Sequence, residues 1–155
     1  FGACESNDYH RMTAYEASFV KYTINSFLST KITFFNQLYD LVNMYGCNYN
    51  TVVRAAGKDD RIGMGHTRVP GFDGKRGFGG ACLPKDTRAF LNFSTYEHED
   101  GGMVSFDLLQ KVLDINTSYR VQYDLDEREK VNNITFVDFG AKNVNNGQTE
   151  EELED

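Results

Sequence analysis

Tryptophan is absent from this chain of 155 residues, which also has only two prolines and three cysteines. The cysteines, Cys4, Cys47 and Cys82, lie far apart and form no C-x-x-C pair. An odd number without ligand spacing argues against a disulfide framework and a zinc site. The expectation is a reducing, cytoplasmic setting in which Cys82 stays a thiol. His10, His66 and His98 are scattered, with no carboxylate or cysteine at ligand spacing, so no metal is expected. No apolar run approaches the ~20 residues that cross a bilayer, and no charged-then-apolar leader opens the chain. Neither a membrane nor a nucleic-acid partner is expected, the latter because no broad basic face is in view. The first residue is Phe1 rather than methionine, so a trimmed or excised start is expected.

Charge is uneven along the chain. The net value is −7, yet residues 54–88 carry eight basic side chains against four acidic ones. Beyond Arg88 fifteen acids face five bases. A positive island in an acidic chain suits a small anionic ligand; on charge alone a solvated surface loop suits it equally.

Inside that island lies Gly71-Phe-Asp-Gly-Lys-Arg-Gly-Phe-Gly-Gly-Ala-Cys-Leu-Pro-Lys-Asp86. Glycines let backbone approach a ligand closely, and Pro84 suits the first position of a helix. Cys82 would then stand just before the positive end of a helix dipole with Lys85 nearby, and both features lower a thiol's pKa. Asp86, four residues on, is near enough to share a site with it. The pattern describes an activated nucleophile beside a carboxylate. A mobile loop with an incidental buried cysteine is the plain alternative.

The rest of the chain reads as mainly α. Residues 1–12 carry no periodicity and form a lead-in. Thr13-Ala-Tyr-Glu16 is a capping box, followed by Phe19, Val20, Ile24, Phe27, Leu28, Ile32, Phe35, Leu38, Val42 and Tyr45 at helical spacing. Gly46 stops this helix of about thirty residues, about 45 Å long. It is either the spine of a larger domain or the seam of a homodimer through residues 13–45, and the seam is favoured. A short helix is expected from Tyr49 or Asn50 to Ala56, a loop from Lys58 to Leu83, and helices from Pro84 to Glu97 and from about Met103 to as far as Tyr123. Residues 13–125 make the helical domain with its glycine-rich loop. In 126–155, Asn133-Ile-Thr-Phe-Val-Asp-Phe139 alternates like one short strand, and the acidic remainder is expected to be disordered.

Lys21 and Asn25 lie one turn apart on the long helix. A lysine and an amide aligned near an activated cysteine can hold the developing negative oxygen of a carbonyl adduct. Alone, each reads equally as an ordinary helix-surface side chain.

Taken together, Glu16-Ala-x-x-x-Lys21-x-x-x-Asn25, Ile32-Thr-Phe-Phe-Asn36, Asp60-Arg-Ile-Gly63 and Gly77-Phe-Gly-Gly-x-Cys82-x-Pro-Lys-Asp86 resemble the UDP-glucose/GDP-mannose dehydrogenase family. The likeness covers roughly residues 13–120 and points to that family's helical central domain. It implies a twofold NAD-dependent oxidation of the C6 alcohol of a UDP- or GDP-sugar to a carboxylate, through a thiohemiacetal and a thioester. By match to the motifs, Cys82 is the nucleophile, Lys21 the oxyanion partner, Asn25 a ligand of the same oxygen or of an ordered water, and Asp86 the group that orients or activates the hydrolytic water. Arg61 corresponds to an arginine that reaches a sugar-nucleotide site from the neighbouring subunit. Phe78, Gly79 and Gly80 match the loop that packs on the sugar, and Lys85 is assigned to the cofactor. The family's G-x-G-x-x-G domain has no counterpart in these residues, so the NAD pocket is largely absent and a separate NAD-binding domain is implied. Two rival readings stand beside this: a non-catalytic dimerising or sugar-nucleotide-binding remnant, and a thiol acyl transferase using Cys82 without a dinucleotide.

Overall fold

The computed structural model describes residues 11–95 and 104–137. Five helices occupy them: α1 (Ala14–Met44), α2 (Tyr49–Ala56), α3 (Cys82–Ser94), α4 (Asp107–Arg120) and α5 (Glu127–Val131). The fold is mainly α and is built around one long helix, as the periodicity indicates.

α1 begins at the capping box. The Thr13 hydroxyl accepts from the Glu16 amide at 3.2 Å, and the Glu16 carboxylate accepts from the Thr13 amide at 2.6 Å. Hydrogen bonds from the Thr13 backbone and hydroxyl hold the Glu16 carboxyl below its usual range. Thirty-one residues then run without glycine or proline, until Gly46 takes the left-handed conformation at φ +68°. Such a turn favours glycine because a side chain would be strained there. Asn48 caps α2 by accepting from the Thr51 amide at 3.1 Å.

α1 touches α2, α3 and α4, so it is the element on which the others are hung. Its inward face is partly small and polar: Ser26, Ser29, Thr33 and Asn36 are buried along with Phe35 and Val42. Ser29 and Thr87, both fully buried, share a hydrogen bond of 2.8 Å that ties α1 to α3. Small residues at that crossing let the two helices approach closely. Outward, Val20, Phe27, Phe34 and Leu41 recur every seven residues, with Ile24 beside them, all between 48 % and 64 % exposed.

Two apolar clusters fill the interior. One joins Phe78 of the glycine-rich loop to Leu91, Leu109, Val112 and Leu113 of α3 and α4. The other joins Phe35 and Val42 of α1 to Tyr49 and Val53 of α2. Each buried side chain of this size contributes about 1.5–3 kcal/mol.

The structure corrects the sequence reading in several places. No strand forms among the described residues of the 133–139 stretch. The Ile134 amide instead donates to the Glu129 carbonyl at 2.9 Å, which closes α5 and removes a donor that a sheet would need. α5 was not anticipated; Asp126 and Glu129 form a second capping box that starts it. α3 starts two residues before Pro84, with Cys82 as its first residue. Pro84 still lies in the first turn, where a backbone N–H has no helical acceptor to lose. α3 ends at Ser94 and α4 begins at Asp107. The lead-in up to residue 10, the turn at 97–102, Asp138-Phe139 and the acidic tail lie outside the described residues.

Candidate active site

The segment from Lys58 to Ala81 contains neither helix nor strand, yet its glycine-rich half is held at successive residues. The Gly77 amide and Arg76 Nε both donate to Asn36 Oδ1, at 3.0 and 2.8 Å. Arg76 also reaches the Asn36 carbonyl at 2.9 Å and Asp40 at 2.8 Å. Its guanidinium lies 4.9 Å from the Tyr39 ring and 4.5 Å from the Tyr119 ring. Burial, then the hydrogen bond to Asp40, pushes the Tyr119 phenol up to about 12. One residue on, Asn116 of α4 accepts from the Phe78 amide at 2.7 Å and donates to the Phe78 carbonyl at 2.9 Å. The Gly80 amide donates to Glu129 of α5 at 3.0 Å.

Two of the glycines are required by this packing. Gly77 sits at φ +71°, and a Cβ there would overlap Asn116 Oδ1. A Cβ on Gly79 would overlap both the Arg120 guanidinium and the Glu129 carboxylate.

The loop hands over to α3 at Ala81, whose side chain offers no cap to the helix amides. Cys82 follows and is exposed. One turn further on, Asp86 is buried, 2 % exposed. Residues four apart on a helix have Cβ atoms roughly 6 Å from each other, so thiol and carboxylate share one face. Asp86 Oδ2 accepts from Asn25 Nδ2 at 2.7 Å and lies 3.4 Å from Lys21 Nζ. The half-exposed Lys85 ammonium is 3.8 Å from the other carboxylate oxygen. Lys21, Asn25 and Asp86 therefore meet across the α1–α3 contact, one turn from the thiol. An ammonium and an amide here can stabilise a developing oxyanion, and a carboxylate can orient a water.

Cys82, Phe78, Gly79 and Gly80 line a cavity of about 720 Å³ together with Arg68, Phe72 and Arg128. Phe78 as a residue is only 2 % exposed and belongs to the core, and its amide and carbonyl are both taken by Asn116. Arg61 does not line this cavity. It is exposed and forked onto the Asp59 carboxylate at 2.9 and 2.6 Å.

Asn36, Asn116, Arg120 and Glu129 hold the loop, and none of the four is among the site residues expected from the sequence. One cue was available. Leu109, Val112, Leu113, Asn116 and Arg120 continue a single helical stripe, and all five are buried. Polar residues on a core-facing stripe must find partners.

Fold and site together define a helical domain that carries a cysteine, a buried carboxylate and a lysine beside a glycine-lined cavity. The chain belongs to the UDP-glucose/GDP-mannose dehydrogenase family, whose central-domain model matches residues 15–118. Among curated proteins it is similar to UDP-glucose 6-dehydrogenase YwqF of Bacillus subtilis (strain 168), 34 % identical over 103 residues, which is 66 % of this chain and 21 % of the relative. UDP-glucose 6-dehydrogenase TuaD of the same organism is 35 % identical over 105 residues, 68 % of this chain and 21 % of the relative. The UDP-glucose 6-dehydrogenase of Pseudomonas aeruginosa is 40 % identical over 85 residues, 55 % of this chain and 18 % of the relative. The chain thus spans about a fifth of the length of these relatives. No helix among the described residues is long and apolar enough to cross a membrane.

Proposed function

We propose that this chain supplies the covalent-catalysis centre of a nucleotide-sugar 6-dehydrogenase, acting on UDP-glucose or a related UDP- or GDP-sugar. The observation that carries the reading is the meeting of Lys21 and Asn25 on buried Asp86, one turn from exposed Cys82. Cys82 Sγ adds to the C6 aldehyde: an S–C bond forms and the thiol proton passes to the oxygen, giving a thiohemiacetal. Lys21 and Asn25 stabilise that oxygen as charge grows on it. After oxidation to the thioester, a water oriented by Asp86 adds to the carbonyl carbon. The C–S bond breaks, the thiol is restored and the carboxylate leaves.

The described residues contain no strand, and so no strand–turn–helix that could cradle a dinucleotide pyrophosphate. NAD, the hydride acceptor of the proposed reaction, is assigned to a separate NAD-binding domain, with Lys85 as this chain's candidate contact with it. Arg61 is free to serve a neighbouring subunit, because its only described partner is Asp59, within its own turn. A homodimer would cover the seven-residue apolar repeat on α1, as two such stripes do in a coiled-coil seam.

The chain's own chemistry is tested without cofactor. The 6-aldehyde of UDP-glucose should protect Cys82, and not Cys47, from alkylation by iodoacetamide. Lys21→Ala should abolish that protection. Equal labelling of both cysteines with and without the aldehyde would overturn the reading.

A further inference from the structure

We infer that Glu129, held by Arg120, is a positioning residue for the thiol. This rests on reading Cys82 as the nucleophile. Glu129 is fully buried and Arg120 is 1 % exposed. Glu129 Oε1 accepts from Arg120 Nη2 at 2.5 Å and from the Gly80 amide at 3.0 Å, while Oε2 accepts from the Asp126 amide at 2.8 Å. The other arm of the guanidinium, Nη1, donates to Asp73 Oδ2 at 2.7 Å. One ion pair therefore grips the glycine-rich loop at two points seven residues apart, Asp73 near its start and Gly80 near its end. Cys82 is only two residues beyond the second grip.

The pair is poorly suited to being a device for stability. Taking two charges out of water is expensive, and well-packed apolar replacements often do as well or better. Among the described residues Arg120 Nε has no hydrogen-bond partner despite its burial, which adds to the cost. What an apolar pair cannot do is accept the Gly80 amide. That acceptor fixes the residue which, at φ +75°, turns the chain from the loop into the first turn of α3. Gly79 is bare at this point so that the guanidinium and carboxylate can lie against the backbone. The ion pair thus sets where α3 begins, and with it the thiol's place relative to Asp86.

Two variants separate positioning from stability: Glu129→Gln, and the paired Arg120→Met/Glu129→Leu. Val42→Ala, in the other apolar cluster, serves as a control for general destabilisation. Hydrogen exchange is measured on each full chain, along with the ratio of iodoacetamide labelling at Cys82 to that at Cys47. In the paired variant, exchange over residues 79–83 should rise by about tenfold or more, as expected for loss of a net ~1.4 kcal/mol hydrogen bond. Exchange within α1 should stay as in the wild type, and the labelling ratio should change. Glu129→Gln keeps an acceptor for Gly80 but leaves Asp73 as the only carboxylate on Arg120 among the described residues, so it should move both readouts in the same direction by less. Val42→Ala should move neither selectively. Exchange over 79–83 no faster than in Val42→Ala would overturn the positioning role, as would faster exchange with an unchanged labelling ratio. The exchange readout depends only on these hydrogen bonds. Failure of the positioning role is therefore distinguishable from failure of Cys82 as nucleophile, which the aldehyde-protection experiment reads.

Discussion

Replacing Asn116 by alanine removes both hydrogen bonds to the Phe78 backbone at once. Asn116 is 2 % exposed and so is Phe78, so water has no ready route to the amide and carbonyl left behind. An unsatisfied buried polar group costs about 1–3 kcal/mol; two of them, with partial relaxation, should cost about 2–5 kcal/mol. Against a typical total of about 5–15 kcal/mol, that is a large share. With a urea slope of about 2 kcal/mol/M, the unfolding midpoint should fall by about 1–2.5 M with the slope unchanged. Asn116→Asp is the informative companion. It keeps an acceptor for the Phe78 amide, now 2.7 Å away, but turns a carboxylate oxygen toward the Phe78 carbonyl, where an N–H had donated at 2.9 Å. It should destabilise at least as much as alanine near neutral pH and recover in part when the carboxyl protonates. Urea unfolding followed by circular dichroism checks both variants. A loss below about 1 kcal/mol in Asn116→Ala would mean that solvent reaches the Phe78 backbone, and the case for a side-chain-clamped loop would fail.

Gly79→Ala should cost about 1–3 kcal/mol by overpacking, because its Cβ would overlap the Arg120–Glu129 pair, whereas Gly65→Ala, which meets open space, should stay within about 0.5 kcal/mol; thermal melts of the two compare them directly. Burial pushes the Tyr49 phenol up to about 12, and burial with Asp40 does the same for Tyr119. Both folded values lie above the unfolded value of about 10, so the stabilisation is complete below pH ~10 and is lost as the pH climbs through 12. Tyr49→Phe should therefore show a flatter stability profile across that alkaline window in urea titrations, although it lacks the bond to the Thr67 carbonyl. Phe27→Glu with Phe34→Glu should convert a dimer to monomer in sedimentation, and a wild-type chain that is already monomeric at high concentration would refute the α1 seam.

What could be read from the sequence depended on how far along the chain each cause lies. Thr13 and Glu16 are three residues apart, as are Asn48 and Thr51, so the starts of α1 and α2 were visible as local chemistry. The α5 box at Asp126 and Glu129 is equally local, set in an acidic stretch of the sequence. α1 shows the opposite limit. Its apolar residues cover more than one face, and periodicity alone cannot say which face turns inward. That choice is made by partners distant in sequence: Ser29 meets Thr87 of α3, 58 residues away, Phe35 and Val42 pack on Tyr49 and Val53 of α2, and Phe27 and Phe34 stay out. Similarly, alternation at 133–139 suggests a strand, but a strand needs a partner, and the Ile134 amide is already spent on Glu129.

In the sequence the glycine-rich loop shows as a motif and, by one alternative, as a mobile loop. Asn36, Asn116 and Glu129 supply acceptors to Gly77, Phe78 and Gly80 from three different helices, across 38 to 49 residues of sequence. Side chains there do the work that a ladder of backbone bonds does in a sheet. The glycines consequently follow from tight packing: Gly77 and Gly79 are bare because Asn116 and the Arg120–Glu129 pair stand where a Cβ would be. A segment that carries an exposed cysteine on so many glycines can be well ordered only if other elements hold its amides, and α1, α4 and α5 each hold one.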